Sequence, residues 1–368
     1  MDHKKIRALG TGLVVLLWVC LVLGMWFGPR YGTSQAERRP LAQMPQITGD
    51  KVLSGKFMTE FTDFSLDQFP LRDTFRQVKS LFHYYVLGQK DNNDIYLADG
   101  YAVKQEYPLN MESVDYALNR FNHLYEKYLK NSGSPVFMTV VPDKGYYLAE
   151  ESGHLSMDYE ALFAQIREGM PWAVHVDLTD TLTGESYYRT DTHWRQEALL
   201  AAAGRLCEAM GITAPRAEDY TTVTLSRPFY GVYYGQAALP MEPEALNFLA
   251  SGLLDDCTVY DHESGKTHKV YDMDKLNSRD LYDVFLSGSR SLLTIENPNA
   301  PTDRELIVFR DSFGSSMVPL LVQDYAKVTL VDIRYIQIDV LDRFLEFKGQ
   351  DVLMLYSTLV LNNSATIK

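Results

Sequence analysis

The chain has 368 residues, a formal net charge of −13 at neutral pH and 46% hydrophobic residues. Because a strongly negative protein repels polyanions, this charge argues against binding nucleic acid or anionic lipid through bulk electrostatics. Three cysteines are too few for a disulfide scaffold. Cys207 and Cys257 could pair in an oxidising compartment, but we favour two buried thiols.

The first predicted element is an uncharged apolar stretch from Ala8 to Phe27. About 20 helical residues cross the hydrocarbon layer of a bilayer, so this stretch predicts a single membrane-spanning helix. Three lysines or arginines precede it and three follow within residues 28–39. The count of basic residues on the two sides therefore does not decide the orientation of the helix. The very short basic tail still favours a cytoplasmic N-terminus with an extracytoplasmic body.

A cleavable signal peptide is the competing interpretation of this stretch. Ser34-Gln35-Ala36 offers small residues for cleavage but lies far beyond the apolar core, so we favour a retained anchor. We assign residues 1–27 to a cytoplasmic tail and anchor, and residues 28–50, which lack apolar periodicity, to a linker. Residues 51–368 then form one large domain.

The domain begins with two amphipathic helices and a hairpin that turns at Asp99-Gly100, all within residues 51–105. Helices and strands then alternate. The predicted series is a helix from Val114 to Tyr128 capped by Ser113 and ended by Gly133, strand Val136 to Val141, helix Asp158 to Arg167, strand Ala173 to Val176, helix Glu197 to Met210 ended by Gly211, strand Leu306 to Phe309, a helix through Val318 to Leu321, strand Val328 to Ile333, helix Ile338 to Phe347 and strand Asp351 to Tyr356.

This alternation with short connections predicts an α/β fold with a parallel sheet sandwiched by helices. Ligands bind such sheets at the carboxyl ends of the strands, where Asp143, Lys144, Ser312 and Arg334 are expected to emerge. Residues 216–300 break the pattern with alternating aromatic and β-branched residues, as in 229–235 and 269–271. We expect them to form a β-rich antiparallel insertion beside the site.

Two short motifs supply the candidate chemistry: Asp191-Thr192-His193-Trp194 and Asp311-Ser312-Phe313-Gly314. A serine hydroxyl becomes a nucleophile when an imidazole accepts its proton, and a carboxylate fixes the tautomer of that imidazole. Asp191, His193 and Ser312 could fill these roles. Ser312 follows a strand and precedes a helix that Ser315 or Ser316 could cap, which would expose its Oγ at the end of the sheet.

A simpler interpretation stays open for each motif. Asp191 or Thr192 could be the N-cap of the helix that follows, with His193 an exposed first-turn residue. Asp311-Ser312-Phe313 could be an ordinary turn, in which Asp311 holds the loop through local hydrogen bonds.

The combination resembles the DHHW family and the related alginate O-acetyltransferase proteins AlgX and AlgJ, whose catalytic domain is similar to SGNH hydrolases. The matching segments are Phe69 to Arg72, Val141 to Lys144, Tyr187 to Trp194, Phe285 to Asn297, Phe309 to Gly314 and Val331 to Tyr335. The resemblance implies a flavodoxin-like, SGNH-hydrolase-like sheet with a circularly permuted motif order, in which the acid and base precede the nucleophile. It implies Asp191, His193 and Ser312 as the catalytic triad.

The chain departs from the family pattern at two places. Thr192 replaces the second residue of the DHHW motif, which has no catalytic role. The usual Gly-Asn reads Gly288-Ser289, which affects an oxyanion donor of a kind worth roughly 2.7 to 4 kcal/mol in other hydrolases. Backbone amides of Ser312 and Gly288 could serve instead.

Four further residues are candidates for substrate contacts. Trp194, beside the base, could stack on a sugar ring. Lys144 could orient a substrate carboxylate or cap its strand, and Arg334, next to Tyr335, could clamp substrate or pair with an acid. Metal and nucleotide motifs such as HExxH, CxxC pairs or phosphate-binding glycine loops do not occur, so we expect no metal and no cofactor.

By resemblance, we expect a membrane-anchored, extracytoplasmic serine O-acetyltransferase of a cell-surface or secreted polysaccharide. The resemblance also implies a membrane-bound acyltransferase partner as acetyl donor. Two alternatives stay open: an acetyl esterase with the same triad, and an inactive glycan-binding or scaffold subunit of a polysaccharide-modification complex.

Overall fold

The computed structural model describes residues 3–34 and 36–368. Gln35 of the candidate cleavage site lies outside these residues. The strands are β1 (Thr33–Ser34), β2 (Arg39–Pro40), β3 (Ile95–Ala98), β4 (Tyr101–Lys104), β5 (Val136–Val141), β6 (Val174–His175), β7 (Thr221–Thr224), β8 (Asn247–Ala250), β9 (Thr258–Asp261), β10 (Lys266–His268), β11 (Leu292–Glu296), β12 (Glu305–Arg310), β13 (Lys327–Val331) and β14 (Asp351–Ser357).

Twelve α-helices occur in the described residues, with short 3₁₀ and π-helical turns between and after them. They are α1 (His3–Phe27), α2 (Gly49–Leu53), α3 (Lys56–Asp67), α4 (Arg72–Leu81), α5 (Met111–Leu124), α6 (Lys144–Leu148), α7 (Tyr159–Gly169), α8 (Leu200–Met210), α9 (Val232–Ala237), α10 (Gly252–Asp256), α11 (Gly314–Met317) and α12 (Thr358–Asn362).

The chain divides into two compact units. The first comprises residues 1–92 and 234–240, and contains α1 to α4. Within the described residues, α1 is the one helix long and apolar enough to cross a membrane. The segment assigned to a linker contains the short antiparallel pair β1–β2, and Arg39 binds Asp67 of α3 at 2.6 and 2.8 Å.

The second unit, residues 93–233 and 241–368, is built on an eight-stranded sheet in the order β10-β9-β11-β13-β12-β14-β5-β6. The five strands from β13 to β6 are parallel to their neighbours, and β11, β9 and β10 continue the sheet in antiparallel fashion. The predicted α/β class with a mostly parallel sheet is therefore confirmed.

Alternating side chains of the central strands fill two apolar layers. In β12, Leu306 and Val308 join one core cluster, which includes α8, and Ile307 and Phe309 join the other, which includes α5 and α7. Strands buried on both faces need apolar residues at every position, which explains the continuous run from Leu306 to Phe309. The predicted hairpin is also present, because β3 and β4 pair around Asp99 and Gly100.

Several predicted boundaries are wrong. The helix ending at Gly211 begins at Leu200, so the DTHW motif does not start it; instead Tyr187 and Trp194 form a β-bridge. Asn110, rather than Ser113, caps α5. The predicted helix from Ile338 to Phe347 is a 3₁₀ segment, Ile338–Arg343.

The predicted antiparallel region is also more varied than expected. Residues 258–296 supply β9 to β11 and extend the main sheet, and β7 pairs with β8 separately. Residues 229–235 were expected to belong to this β-rich region, but helix α9 begins within them at Val232. The amide N–H groups of Val232 and Tyr233 donate to Asp191 Oδ2 and Thr190 O, so tertiary hydrogen bonds override the β propensity of the aromatic residues.

We predict that Leu353→Ala lowers the free energy of unfolding by about 2 to 5 kcal/mol, because Leu353 is fully buried in β14 between parallel neighbours. Denaturant titration followed by tryptophan fluorescence measures the change. Leu155→Ala is the matched control: its side chain is exposed, so we expect a change within about 0.5 kcal/mol. Equal effects of the two substitutions would contradict the assigned core.

Candidate active site

The two motifs meet at the carboxyl end of the parallel strands. His193 Nε2 lies 2.8 Å from Ser312 Oγ, and His193 Nδ1 lies 2.6 Å from Asp191 Oδ1. Asp191 is fully buried and His193 nearly so. A carboxylate can only accept, so Nδ1 donates to Asp191 and the lone pair of Nε2 faces the serine hydroxyl. This is the orientation in which an imidazole acts as a base.

The loop that carries Asp191 is held by hydrogen bonds to two carboxylates. Asp191 Oδ1 also accepts the His193 amide at 3.1 Å, and Oδ2 accepts the Val232 amide at 2.8 Å. The carboxylate of Glu244 accepts the backbone amides of Arg189 and Thr190 at 2.7 and 2.8 Å. A carboxylate with several N–H donors is fixed in orientation, so His193 is held against a rigid partner.

Gly231 allows this loop to approach the segment that precedes α9. Its amide donates to Thr190 Oγ1 at 2.9 Å. A methyl group on Gly231 would lie 2.2 Å from the carbonyl carbon and oxygen of Thr190 and 2.3 Å from Asp191 Cα. Only a residue without a side chain fits at this contact.

The turn that carries Ser312 is held by Asp311, as the simpler interpretation of that residue predicted. Asp311 Oδ1 accepts the Phe313 amide at 3.0 Å, and Oδ2 accepts the amide and hydroxyl of Ser357 at 2.8 and 2.6 Å. Helix α11 begins at Gly314 without a side-chain cap, so the predicted capping by Ser315 or Ser316 is wrong. Among the described residues, none accepts a hydrogen bond from the Ser312 amide.

A buried arginine lies beneath this turn. Arg310 has no exposed surface, and its guanidinium donates to Asp311 O at 3.3 Å, Ser315 Oγ at 3.1 Å and Gly288 O at 3.4 Å. The three contacts join the turn to the loop at Gly288. Burial lowers the pKa of Arg310, and the nearby carboxylate of Asp332 acts in the opposite direction.

The imidazole is packed between aromatic rings. Tyr282 stacks on His193 with ring centroids 3.9 Å apart, and Phe313 lies 5.1 Å away at a tilted angle. Tyr282 OH and Ser316 Oγ are 2.7 Å apart, and burial raises the pKa of the tyrosine, which therefore stays neutral. These contacts restrict the ring to the orientation that faces Ser312.

Trp194 does not form a sugar platform. The residue is fully buried, and its Nε1 donates to Ser316 Oγ at 2.9 Å and Phe313 O at 3.2 Å. The bridge between Tyr187 and Trp194 turns the indole into the core below the triad. The prediction of a substrate contact for Trp194 is therefore wrong, because no face of the ring is open to a ligand.

Lys144 is also buried rather than poised toward a substrate. Its Nζ donates to the backbone carbonyls of Ala102, Tyr188 and Arg189, the last two at 2.9 and 3.4 Å. Burial lowers the pKa of Lys144 to about 7, although the nearby carboxylates, led by Asp191, act in the opposite direction. Lys144 thus supports the chain that leads into the DTHW motif.

The remaining candidates lie apart from the triad contacts. Arg334 forms a bidentate pair with Asp332 at 2.9 and 2.6 Å, which matches the salt-bridge alternative, while Tyr335 is exposed. Gly288 is buried, and its amide donates to Phe285 O at 3.1 Å, so it is already occupied. Ser289 is exposed.

Three functional neighbours were missed from the sequence: Glu244, Tyr282 and Arg310. Glu244 and Tyr282 lie far along the chain from the DTHW motif, and Arg310 lies at the end of strand β12. Glutamate, tyrosine and arginine also have many structural roles in proteins, so the residue type alone does not indicate a site. The one available signal was Arg310, which directly follows the apolar run from Leu306 to Phe309. A buried cation requires hydrogen-bond partners, so its position indicated a polar cluster at the end of this strand. Within the described residues, no group of three or more metal-ligating side chains occurs.

We predict that Gly231→Ala lowers the free energy of unfolding by about 1 to 3 kcal/mol, because the added methyl group overlaps the backbone at Thr190 and Asp191. Denaturant titration measures the change. Gly204→Ala is the matched control: it lies within α8 with open space around it, and removing a helical glycine should stabilise by about 0.5 to 1 kcal/mol. Stabilisation by both substitutions would contradict the close approach.

Comparisons with known proteins agree with the predicted resemblance. The family model described as DHHW protein matches residues 178–331, which include both motifs. Among solved structures, a DHHW family protein from Eubacterium siraeum is 22% identical, with a TM-score of 0.60 over 75% of this chain and 95% of its own. No curated protein matches in sequence.

Two further solved structures are also similar to this chain. Bacillus cereus PatB1, solved with a sulfonyl adduct, is 16% identical, with a TM-score of 0.59 over 73% of this chain and 95% of its own. The O-acetyltransferase domain of Pseudomonas putida AlgJ is 16% identical and covers 73% of this chain and 92% of its own, at a lower TM-score of 0.45. At these identities the likeness to the E. siraeum protein and to PatB1 establishes a shared fold.

Proposed function

We propose that this chain, whose residues 178–331 match the DHHW family, is a membrane-anchored serine O-acetyltransferase that acts on a polysaccharide outside the cytoplasm. The observation that carries the proposal is the 2.8 Å contact between His193 Nε2 and Ser312 Oγ, with Asp191 on the opposite ring nitrogen. Acid, base and hydroxyl in this order form the catalytic unit of serine acyl-transfer enzymes.

In the first half-reaction, Ser312 Oγ attacks the carbonyl carbon of an acetyl donor. His193 Nε2 takes the hydroxyl proton as the new C–O bond forms, and Asp191 stabilises the resulting imidazolium. The tetrahedral intermediate then collapses: the bond to the leaving group breaks, and His193 returns the proton to that group. The product is an acetyl ester on Ser312.

In the second half-reaction, a sugar hydroxyl takes the place of the leaving group. His193 accepts its proton while the sugar oxygen attacks the acetyl carbon, and collapse of the second intermediate restores Ser312 Oγ–H. General-base assistance of this kind contributes about 10² to 10⁴ in rate. Transfer and hydrolysis use the same residues, so the acceptor admitted to the site distinguishes a transferase from an esterase.

The oxyanion of both intermediates needs a donor. The Ser312 amide is the available candidate, because no described residue accepts its hydrogen bond, whereas the Gly288 amide is bonded to Phe285 O. Ser289 is exposed and occupies the position of the usual asparagine. We therefore assign the first oxyanion donor to Ser312 N–H and no role to the Ser289 hydroxyl.

Membrane anchoring belongs to the same proposal. Helix α1 would span the bilayer with its N-terminus in the cytoplasm, as the short basic tail favours. Acetyl thioesters are made in the cytoplasm, so the acetyl group would reach Ser312 from a membrane-bound acyltransferase partner.

We predict that the full-length protein in detergent releases the phenol from an activated acetyl ester, and that Ser312→Ala and His193→Ala each lower the rate by at least about 10²-fold. Absorbance of the released phenolate measures the rate. Ser289→Ala is the matched control and should keep the parental rate. Unchanged turnover in Ser312→Ala would end the proposal, and mass spectrometry of an added oligosaccharide would separate acetyl transfer from hydrolysis.

We further predict that Asp191→Asn lowers the same rate by about 10² to 10⁴-fold while the fold is retained. Asp191 uses one carboxylate oxygen to accept from His193 Nδ1 and the other to accept from the Val232 amide. An asparagine side chain has only one acceptor oxygen, and its NH₂ group donates, so it cannot make both contacts and no longer fixes the tautomer of His193. Labelling of Ser312 by an aryl sulfonyl fluoride, read by intact mass, should slow in parallel. Labelling at the parental rate would show that Asp191 has only a structural role.

A further inference from the structure

Helix α4 has its apolar side chains on the outside. Together with the π-helical turn Phe82–Val86 that continues it, α4 exposes an apolar stripe at helical spacing. Each of these side chains is between 45% and 69% exposed. The apolar stripe consists of Leu71, Phe75, Val78, Phe82 and Val86.

The opposite, inward side of the same helix is polar. Arg72 binds Glu37 at 2.6 Å, and Arg76 binds Glu37 at 3.3 Å. Ser80 is buried and accepts a hydrogen bond from Asn92 Nδ2 at 2.8 Å. A helix on a water-soluble surface has the reverse arrangement, with its apolar face inward, so the apolar stripe needs a covering surface.

The start of α4 lies at the level of the last turns of the membrane helix. Pro70, next to Leu71, packs against α1 so closely that a methyl group on Gly24 would lie 2.9 Å from Pro70 Cγ. The rings of Trp26 and Phe61 are 6.4 Å apart, and the Arg30 guanidinium lies 4.8 Å from the Phe64 ring. All of these residues belong to the same compact unit.

Gly24 falls inside the uncharged stretch that ends at Phe27. If α1 spans the bilayer, a residue that touches Gly24 must lie at the boundary between headgroups and acyl chains. Leu71 follows directly, and aromatic side chains such as Phe75, Phe82 and Tyr85 suit this boundary region.

From this geometry we infer that the apolar stripe of α4 lies on the membrane surface, inserted between the headgroups and acyl chains of the leaflet in which α1 ends. The occupant is lipid, and the interaction is apolar insertion. A protein with a net charge of −13 gains no general electrostatic attraction from an anionic bilayer. Insertion of the apolar stripe therefore depends on its apolar side chains, and a bilayer of zwitterionic lipid is sufficient for it. The inference rests on the membrane anchoring in the proposed function and is independent of the triad.

The test uses the full chain in phosphatidylcholine nanodiscs, with a fluorophore attached to Cys at one position at a time. The probe positions are Val78→Cys on the apolar stripe, Asp73→Cys at an exposed polar position of α4 outside the stripe, and Leu16→Cys within α1, each in a Cys20→Ser background. Cys207 and Cys257 are buried, and the background protein without an added cysteine gives the blank. All three substituted side chains are exposed, which favours normal folding.

We expect nitroxide-labelled lipid to quench the probe at Val78→Cys several-fold more than the probe at Asp73→Cys, with strong quenching at Leu16→Cys as the positive control. Equal quenching at the two α4 positions would overturn the inference. So would a Val78→Cys probe that is shielded from aqueous iodide but not quenched by lipid, because a protein would then cover the stripe. Absence of quenching at Leu16→Cys would remove the anchor and the inference together.

Discussion

The candidate site depends on one hydrogen bond between two side chains 119 residues apart, His193 Nε2 and Ser312 Oγ. Each partner stands on a turn that would be unremarkable alone. The turn of Ser312 follows β12 in the centre of the sheet, and the loop of His193 reaches it across the carboxyl ends of the strands. A shift of either loop by about 1 Å would break the contact, so much of the surrounding structure serves to prevent that shift.

Three carboxylates, two of them fully buried, provide most of this restraint. Asp191, Asp311 and Glu244 each accept two or more hydrogen bonds from backbone or side-chain donors. A buried charge is tolerated only when donors replace the lost water, so each carboxylate fixes the position of the chain segments that donate to it. Arg310 connects the turn that carries Ser312 to the loop at Gly288 in the same way. The residues around Asp191, His193 and Ser312 are therefore held by hydrogen bonds that leave their side chains few alternative positions.

The two units use polar and apolar residues in opposite ways. In the sheet-containing unit, apolar side chains are buried on both faces of β12, and the polar groups gather at the carboxyl ends of the strands. In α4 the arginines face inward to Glu37 and the apolar residues face outward. The difference follows from the surroundings inferred for each: water around the sheet unit, and lipid beside α4, which follows the contact of Pro70 with α1.

Patterns that depend on near neighbours could be predicted from the sequence: the apolar helix α1, the hairpin at Asp99 and Gly100, the alternating helices and strands, and the two motifs as the candidate acid, base and nucleophile. Features that depend on distant partners could not. Within the β-prone segment 229–235, the chain turns into helix α9 at Val232 because the amides of Val232 and Tyr233 bind the Asp191 loop. Trp194 turns inward to Ser316. Local propensity is worth tenths of a kcal/mol per residue, and a buried hydrogen bond about 1 kcal/mol, so tertiary contacts decide wherever the two conflict. The α/β pattern and the side chains available for chemistry follow from the order of residues alone. The contact between His193 and Ser312 and the burial of Lys144 and Trp194 follow from how distant segments pack. Local spacing along the chain does not encode such distances, because packing across the fold sets them.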